Sequence, residues 1–379
     1  MRIRAARLGA VLAGACACAC VTAACTGPAA SPGLGASHAS SPSRATAPSR
    51  AGGAARASAA ASPGRTASPG RTASPVGVVM AVPGRPLPAP AALVPFGTSG
   101  PGGPGGSTGQ GTWSARGRPV GGIRVVYETT MVPPGGTQPA GIAWMDAGLL
   151  SARLYSGSLS PGGGPYRYTA PVLPAAAATL VAAFNGGFKM NEARGGYYTE
   201  GRVIDPLRAG AASLVIYADG SVDVGAWGSD VTMTPQVVSV RQNLLPLVAG
   251  GHPTPRAAST RWRAWGSTCG AISCARTVPG IEHQWRSGLG ITADGALVYA
   301  AGPGLDPLQL AELLVRAGAV RGMQLDINPN WPVFVTYDPP AGAPAAPGNG
   351  RKLLPDTTQG PWTFFEATWA RDFVTMSTR

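Results

Sequence analysis

The chain has 379 residues, 30 of them basic and 17 acidic, for a formal charge of +13. That surplus is local: the first 118 residues carry 11 Arg and no acid, and Glu128 is the first carboxylate. The remaining 19 basic and 17 acidic residues nearly balance, which argues against the basic folded face that nucleic-acid binding requires and leaves a cationic tail suited to weak contact with anionic envelope polymers or lipids.

Residues 1–25 read as an export signal. Arg2, Arg4 and Arg7 form a charged start, and Leu8 to Ala24 is a short stretch of small apolar residues. Thr22-Ala23-Ala24-Cys25 resembles the bacterial lipobox in which the Cys is acylated and becomes the mature N-terminus, with Thr22 where Leu is usual. A plainly cleaved signal and an uncleaved anchor are the alternatives. Residues 26–118 are an Ala/Ser/Pro/Gly/Arg-rich linker in which "ASPGRTASPGRTASP" (61–75) repeats a six-residue unit. Such a composition buries too little apolar surface to offset chain entropy, so it is expected to be a disordered spacer. Its run "VGVVMAV" (76–82) offers at most a local strand.

Residues 119–379 are long enough for one domain with its own core. "GGIRVVYETTMV" (121–132) and "AGIAWMDAGLLSARLYSGS" (140–158) predict two or three strands. "PAAAATLVAA" (174–183) predicts a helix with Pro174 in its first turn, and the strand residues Val181 to Phe184 lead into Asn185-Gly186-Gly187-Phe188. Hairpins follow at Glu200-Gly201, Asp219-Gly220 and Asp294-Gly295. Asp306 as N-cap, Pro307 in the first helical position, Leu308, Leu310, Leu313, Leu314 and Ala317 at helical spacing, and Gly318 as the stop define a helix. Strands over "VRGMQLDI" and "PVFVTYD" come next, and "WTFFEATWARDFV" (362–374) is strand-like. The expected class is α+β (mixed α/β), a single domain with a hairpin-rich sheet and a few packing helices.

The chain lacks G-x-S-x-G, a P-loop and H-E-x-x-H, so its chemistry would fall to carboxylates, Arg, Asn and backbone amides. Three stretches qualify. Asn185 closes a strand, and Gly186 and Gly187 allow close backbone approach to a ligand, or else form a plain turn. Arg286 enters an otherwise small and apolar strand, where its fork needs an anion from either a ligand or the protein. Asp326 ends a strand after a crossover helix, where it faces a ligand or begins an Asx-type turn into Asn328-Pro329. Cys269 and Cys274, in an exported chain, are expected to close a small disulfide loop. His252 and His283 are not spaced with them for zinc.

Together these stretches resemble the phosphodiester glycosidase family. Asn185-Gly186-Gly187-Phe188 matches its N-G-G block, and Arg286-Ser287-Gly288-Leu289-Gly290 before Asp294-Gly295 matches its R-[ST]-A-[IL]-G strand and hairpin. Leu308 to Ala319 matches its helix, and Leu325-Asp326 matches its last strand. The family's glycine loop after that Asp is replaced by Ile327-Asn328-Pro329-Asn330-Trp331. The resemblance implies hydrolysis of a sugar 1-phosphodiester, with Arg286 on phosphate, Asp326 near the anomeric carbon, and Asn185, Gly186 and Gly187 orienting the substrate. Asn328 would contact substrate, and Glu192, Glu200 or Glu282 would serve as a second carboxylate. A divalent cation bridging Asp326 and phosphate is compatible with this scheme, but no ligand cluster in the sequence indicates one. The competing reading is a non-catalytic envelope protein that binds a glycan or anionic polymer, with Trp227, Trp265 and Trp331 available for stacking on sugars.

Overall fold

Apolar runs bounded by turn residues become strands in nearly every case. The computed structural model describes residues 77–97, 109–259, 262–266 and 282–379. In chain order the described elements begin with β1 (Ser114–Arg116), β2 (Val126–Met131), β3 (Ala140–Met145), β4 (Leu150–Tyr155), α1 (Pro174–Ala177), β5 (Leu180–Asn185) and α2 (Met190–Ala193). They continue with β6 (Tyr197–Thr199), β7 (Arg202–Asp205), β8 (Ala212–Tyr217), β9 (Val222–Ala226), β10 (Val237–Gln242), β11 (Pro246–Ala249) and β12 (His252–Pro253). They end with β13 (Gln284–Thr292), β14 (Leu297–Leu305), α3 (Pro307–Arg316), β15 (Ala319–Gln324), β16 (Phe334–Tyr337), β17 (Gly350–Lys352) and β18 (Phe373–Thr378).

The strands build three antiparallel sheets. The first runs β1-β2-β3-β14-β13-β15-β11-β12, the second β7-β6-β10-β8-β9 and the third β17-β16-β5-β18-β4. The expected α+β class is therefore corrected: the protein is mostly β, and two of the three described helices are single turns. The reason is visible at residues 174–183. Only Pro174–Ala177 is helical, and the strand starts at Leu180 because β5 lies between β16 and β18, buried at every position. Central placement overrides the helix propensity of the alanines.

The first sheet is buried on both faces. Met145, Leu289, Ile291, Leu297, Tyr299 and Met323 face the other two sheets and share a core with Leu214, Phe184 and Phe334. Ile142, Trp144, Val298 and Ala300, on the opposite face, pack beneath α3 through Leu310, Leu313 and Leu314. This helix has the capping box its sequence implies: Asp306 accepts from the Gln309 amide at 2.7 Å, and Gln309 Oε1 accepts from the Asp306 amide at 3.0 Å. Leu308, expected to face inward, is only half-buried.

Residues 77–97, which composition assigns to the spacer, lie along the domain. The Val79 amide donates to Ala293 O at 2.8 Å, the Leu87 amide to Asp146 Oδ2 at 3.0 Å, and Ala81 is buried. The signal segment, Cys25, Cys269 and Cys274 fall outside the described residues. No described helix is long and apolar enough to cross a membrane.

Truncating Leu313, fully buried between α3 and the first sheet, is expected to cost about 2–5 kcal/mol. Leu308→Ala should cost clearly less. Denaturant midpoints compare the two.

Candidate functional site

The three sheets meet where β5, β10 and β15 end and β18 begins. Asn185, the last residue of β5, is 4 % exposed and fully engaged. Its Oδ1 accepts from Tyr299 OH (2.8 Å) and the Val333 amide (3.0 Å), and its Nδ2 donates to Gly186 O (2.8 Å) and Ser287 Oγ (3.0 Å). It thus ties β5 to β13 and β14. The glycines after it are steric necessities: a β-carbon on Gly186 would overlap Asp372 Oδ2, and one on Gly187 would stand 2.9 Å from Asn243 Oδ1 and 3.1 Å from Arg241 Cζ.

Asp326 follows β15 and is 3 % exposed. Its amide donates to Ser287 Oγ (3.0 Å), so Ser287 bridges Asn185 and Asp326. Asp326 Oδ1 accepts from the amides of Ile327 (2.8 Å) and Asn328 (2.9 Å), which is the Asx-type turn, while Oδ2 accepts from Arg371 Nη2 (2.8 Å). Burial pushes the carboxyl up to about 6, against the pull of Arg371 and the two amides, and Asp372 adds to the rise.

Arg371 and Asp372 lie immediately before β18. Asp372 pairs with Arg241 of β10 (2.8 Å), whose Nη2 also donates to Phe188 O. Arg241, Asp372, Arg371 and Asp326 thus form two buried ion pairs drawn from all three sheets. Asn243 braces them, donating to Gln324 O (2.9 Å) and Leu325 O (2.8 Å) while accepting from the Phe188 amide (3.1 Å). Asn328 to Trp331 form a turn with Pro329 at its second position, closed by the Trp331 amide on Asn328 O (2.9 Å). That turn sets the Trp331 ring 5.2 Å from the Arg371 guanidinium. Arg371 is 6 % exposed, and its Nε is buried without a partner among the described residues.

The remaining predicted residues fall elsewhere. Arg286 is buried with its fork closed by the protein: Nε donates to Leu305 O (2.7 Å), Nη1 to Gln324 Oε1 (2.7 Å) and Trp265 O (3.3 Å), and Nη2 to Glu282 O (2.9 Å). Burial pushes its pKa down to about 10. It anchors the segment whose Gly266 lies against Phe188 and Ile327, so it supports the site from behind. Glu192 is exposed on α2. Glu200 caps the amides of Arg167 and Tyr168 at the tip of the β6–β7 hairpin. Glu282 offers its carbonyl to Arg286, while its carboxylate faces His283 at 3.9 Å. None of the three is in contact with Asp326. Trp265 is fully buried, and Trp227 packs beside the second sheet.

The residues that sequence reading missed are Arg241, Asn243, Arg371 and Asp372. The rule that picked out Arg286, an arginine within an apolar strand, applies equally to Arg241 in "VVSVRQN". Both oxygens of Asp326 are taken by amides and Arg371, so a cation would have to displace the guanidinium. Among the described residues no three His, Cys, Asp or Glu side chains cluster.

The sequence matches no established protein-family model and no curated protein. Among solved structures it is similar to the zebrafish N-acetylglucosamine-1-phosphodiester alpha-N-acetylglucosaminidase catalytic domain auto-inhibited by its pro-peptide. The identity is 15 %, coverage is 67 % of this chain and 82 % of that one, and the TM-score is 0.41. A hypothetical protein from Synechocystis is similar at 12 % identity, 69 % and 64 % coverage and a TM-score of 0.35. A Burkholderia pseudomallei K96243 protein classed provisionally as exported is similar at 11 % identity, 68 % and 75 % coverage and a TM-score of 0.33.

Asp372→Ala leaves Arg241 buried and unpaired and is expected to cost about 3–5 kcal/mol, much of it recovered when Arg241 is also replaced by Met. Denaturant unfolding of the single and double variants measures this. Because the folded-state pKa of Asp326 is raised, between about pH 4 and 6 the native state keeps a proton that the unfolded chain has lost. Stability should therefore fall as pH rises through that window, and the difference between wild type and Asp326→Asn should show the slope.

Proposed function

We propose that this protein is an exported hydrolase that cleaves the glycosidic C–O bond of a sugar 1-phosphodiester, with Asp326 and Arg371 as its working pair. The observation that carries the reading is the buried Arg371, paired to Asp326 on one nitrogen and unpartnered at Nε. The leaving group in such a reaction is a phosphate monoester, stable as an anion, which needs charge neutralisation more than a proton. The phosphate role expected of Arg286 thus passes to Arg371, whose Nε is uncommitted. The C1–O bond breaks with its electron pair going to the phosphate oxygen, water adds at C1, and its proton leaves through Asp326 or to solvent. Asp326 Oδ2 supplies negative charge beside the developing oxocarbenium ion. Asn185 and Ser287 position Asp326, and Trp331 keeps Arg371 in plane. Export, with Cys25 as a lipid attachment, belongs to the same proposal.

One observation favours a second reading. The Asp326 carboxylate is already satisfied by two amides and a guanidinium, as expected of a non-catalytic envelope glycan-binding protein that keeps the fold. A product assay on a panel of sugar 1-phosphodiesters separates the two. The hydrolase reading expects turnover that Asp326→Asn abolishes. Arg371→Lys should lower kcat/KM about 100-fold or more, and Arg286→Lys should act mainly on stability. Since Asp326 must be ionised, kcat/KM should fall on the acid side below about pH 6. A folded protein that turns over no diester on the panel rules the hydrolase out.

A further inference from the structure

The edge strand β4 of the third sheet meets the second sheet along one side only: Ala152 and Leu154 share the core with Leu214 and Ile216, and the Ala152 amide donates to Gly220 O (2.8 Å) in the β8–β9 turn. Beside that contact a cleft of about 470 Å³ opens between the strands. This is the size of a small-molecule or oligosaccharide site. Arg153, Tyr168, Tyr198, Glu200, Tyr217 and Asp219 line it, over a floor where Thr199 and Ser239 share a hydrogen bond at 3.0 Å.

Two arginines gather on Tyr168, Arg153 from within the lining and Arg167 from beside it. The Arg153 guanidinium lies 4.1 Å from the Tyr168 ring centre and that of Arg167 5.2 Å from it. Among the described residues neither has a carboxylate at ion-pair distance. Glu200, which lines the cleft, is committed elsewhere and faces Arg202 at 4.0 Å. Held at a positive φ of 51° in its hairpin turn, it accepts the Arg167 and Tyr168 amides at 3.1 and 3.0 Å. The loop carrying Arg167 and Tyr168 is thus fixed, while Arg167 on it and Arg153 on β4 keep guanidiniums with no carboxylate at ion-pair distance among the described residues. Ring-stacked guanidiniums lose little freedom on binding an oxyanion, and the tyrosine hydroxyls and strand edges offer the mixed donors and acceptors that sugar hydroxyls use.

We propose that this cleft binds an anionic saccharide, a sugar carrying phosphate or carboxylate, at a site separate from Asp326. The inference concerns retention rather than turnover and stands whether or not Asp326 is catalytic. With the Tyr168 ring already occupied by two guanidiniums, the cleft is better suited to a sugar than to a flat base.

Affinity electrophoresis of the full chain tests it, in gels cast with phosphomannan, polygalacturonate or neutral mannan. Retention on phosphomannan alone assigns phosphate, and on polygalacturonate alone carboxylate. Arg153→Gln/Arg167→Gln should weaken retention at least tenfold, and Tyr217→Ala should weaken it too, with melting temperatures near wild type. Asp326→Asn should leave it unchanged. The arginine-rich N-terminal tail is common to every variant, so wild-type retention by the double arginine variant would assign binding to the tail and overturn the proposal. Equal retention on neutral mannan, or none on either anionic gel, would overturn it as well. Turnover of a small diester should be unaffected by Arg153→Gln/Arg167→Gln, so failure here is distinguishable from failure of the hydrolase reading.

Discussion

Two ion pairs buried where three sheets meet set the terms for everything around them. Arg241 comes from the second sheet, Arg371 and Asp372 from the start of a strand in the third, and Asp326 from the end of a strand in the first. Taking four charges out of water is costly, and in a low-dielectric interior the pairs persist only with good geometry and extra hydrogen bonds. Both conditions hold: remaining donors and acceptors go to Gln242 O, Phe188 O, Gly187 O and the amides after Asp326, with Arg371 Nε the exception. The pairs therefore act as a register device. They form only when all three sheets are in place, and they leave room for no side chain at residues 186 and 187.

The same constraint explains two arginines of opposite fate. Arg286 is buried with no acid at ion-pair distance among the described residues, and four carbonyl and amide oxygens accept hydrogen bonds from its guanidinium. It is a scaffold for the 262–266 segment. Arg371 keeps an ion pair, a ring beneath it and one nitrogen without a partner. A charge whose donors are all spent on the protein has none to offer a ligand, whereas Arg371 has a donor left over, itself buried. Burial alone does not separate the two; the count of partners does.

The turn after Asp326 gains a purpose from this arrangement. Pro329 has no N–H to present to an anion, and the rigid turn instead carries Trp331 into position against Arg371 and Trp369. The turn thus sets a fixed aromatic plane beside a cation.

Local signals in the sequence determined the hairpins at residues 200, 219 and 294 and the capped helix from Pro307. Turn chemistry, capping and strand ends are written within a few neighbouring residues. The mostly β architecture was not legible, because an alanine-rich run becomes a strand only through the two strands that flank it, and that is a long-range fact. Nor could the partners be read. Arg241 and Asp372 are 131 residues apart, and Asp326 and Arg371 are 45 apart. Which buried arginine meets an acid and which meets carbonyls depends on how the sheets pack, since the cost of burying a charge is settled by whatever the fold brings beside it.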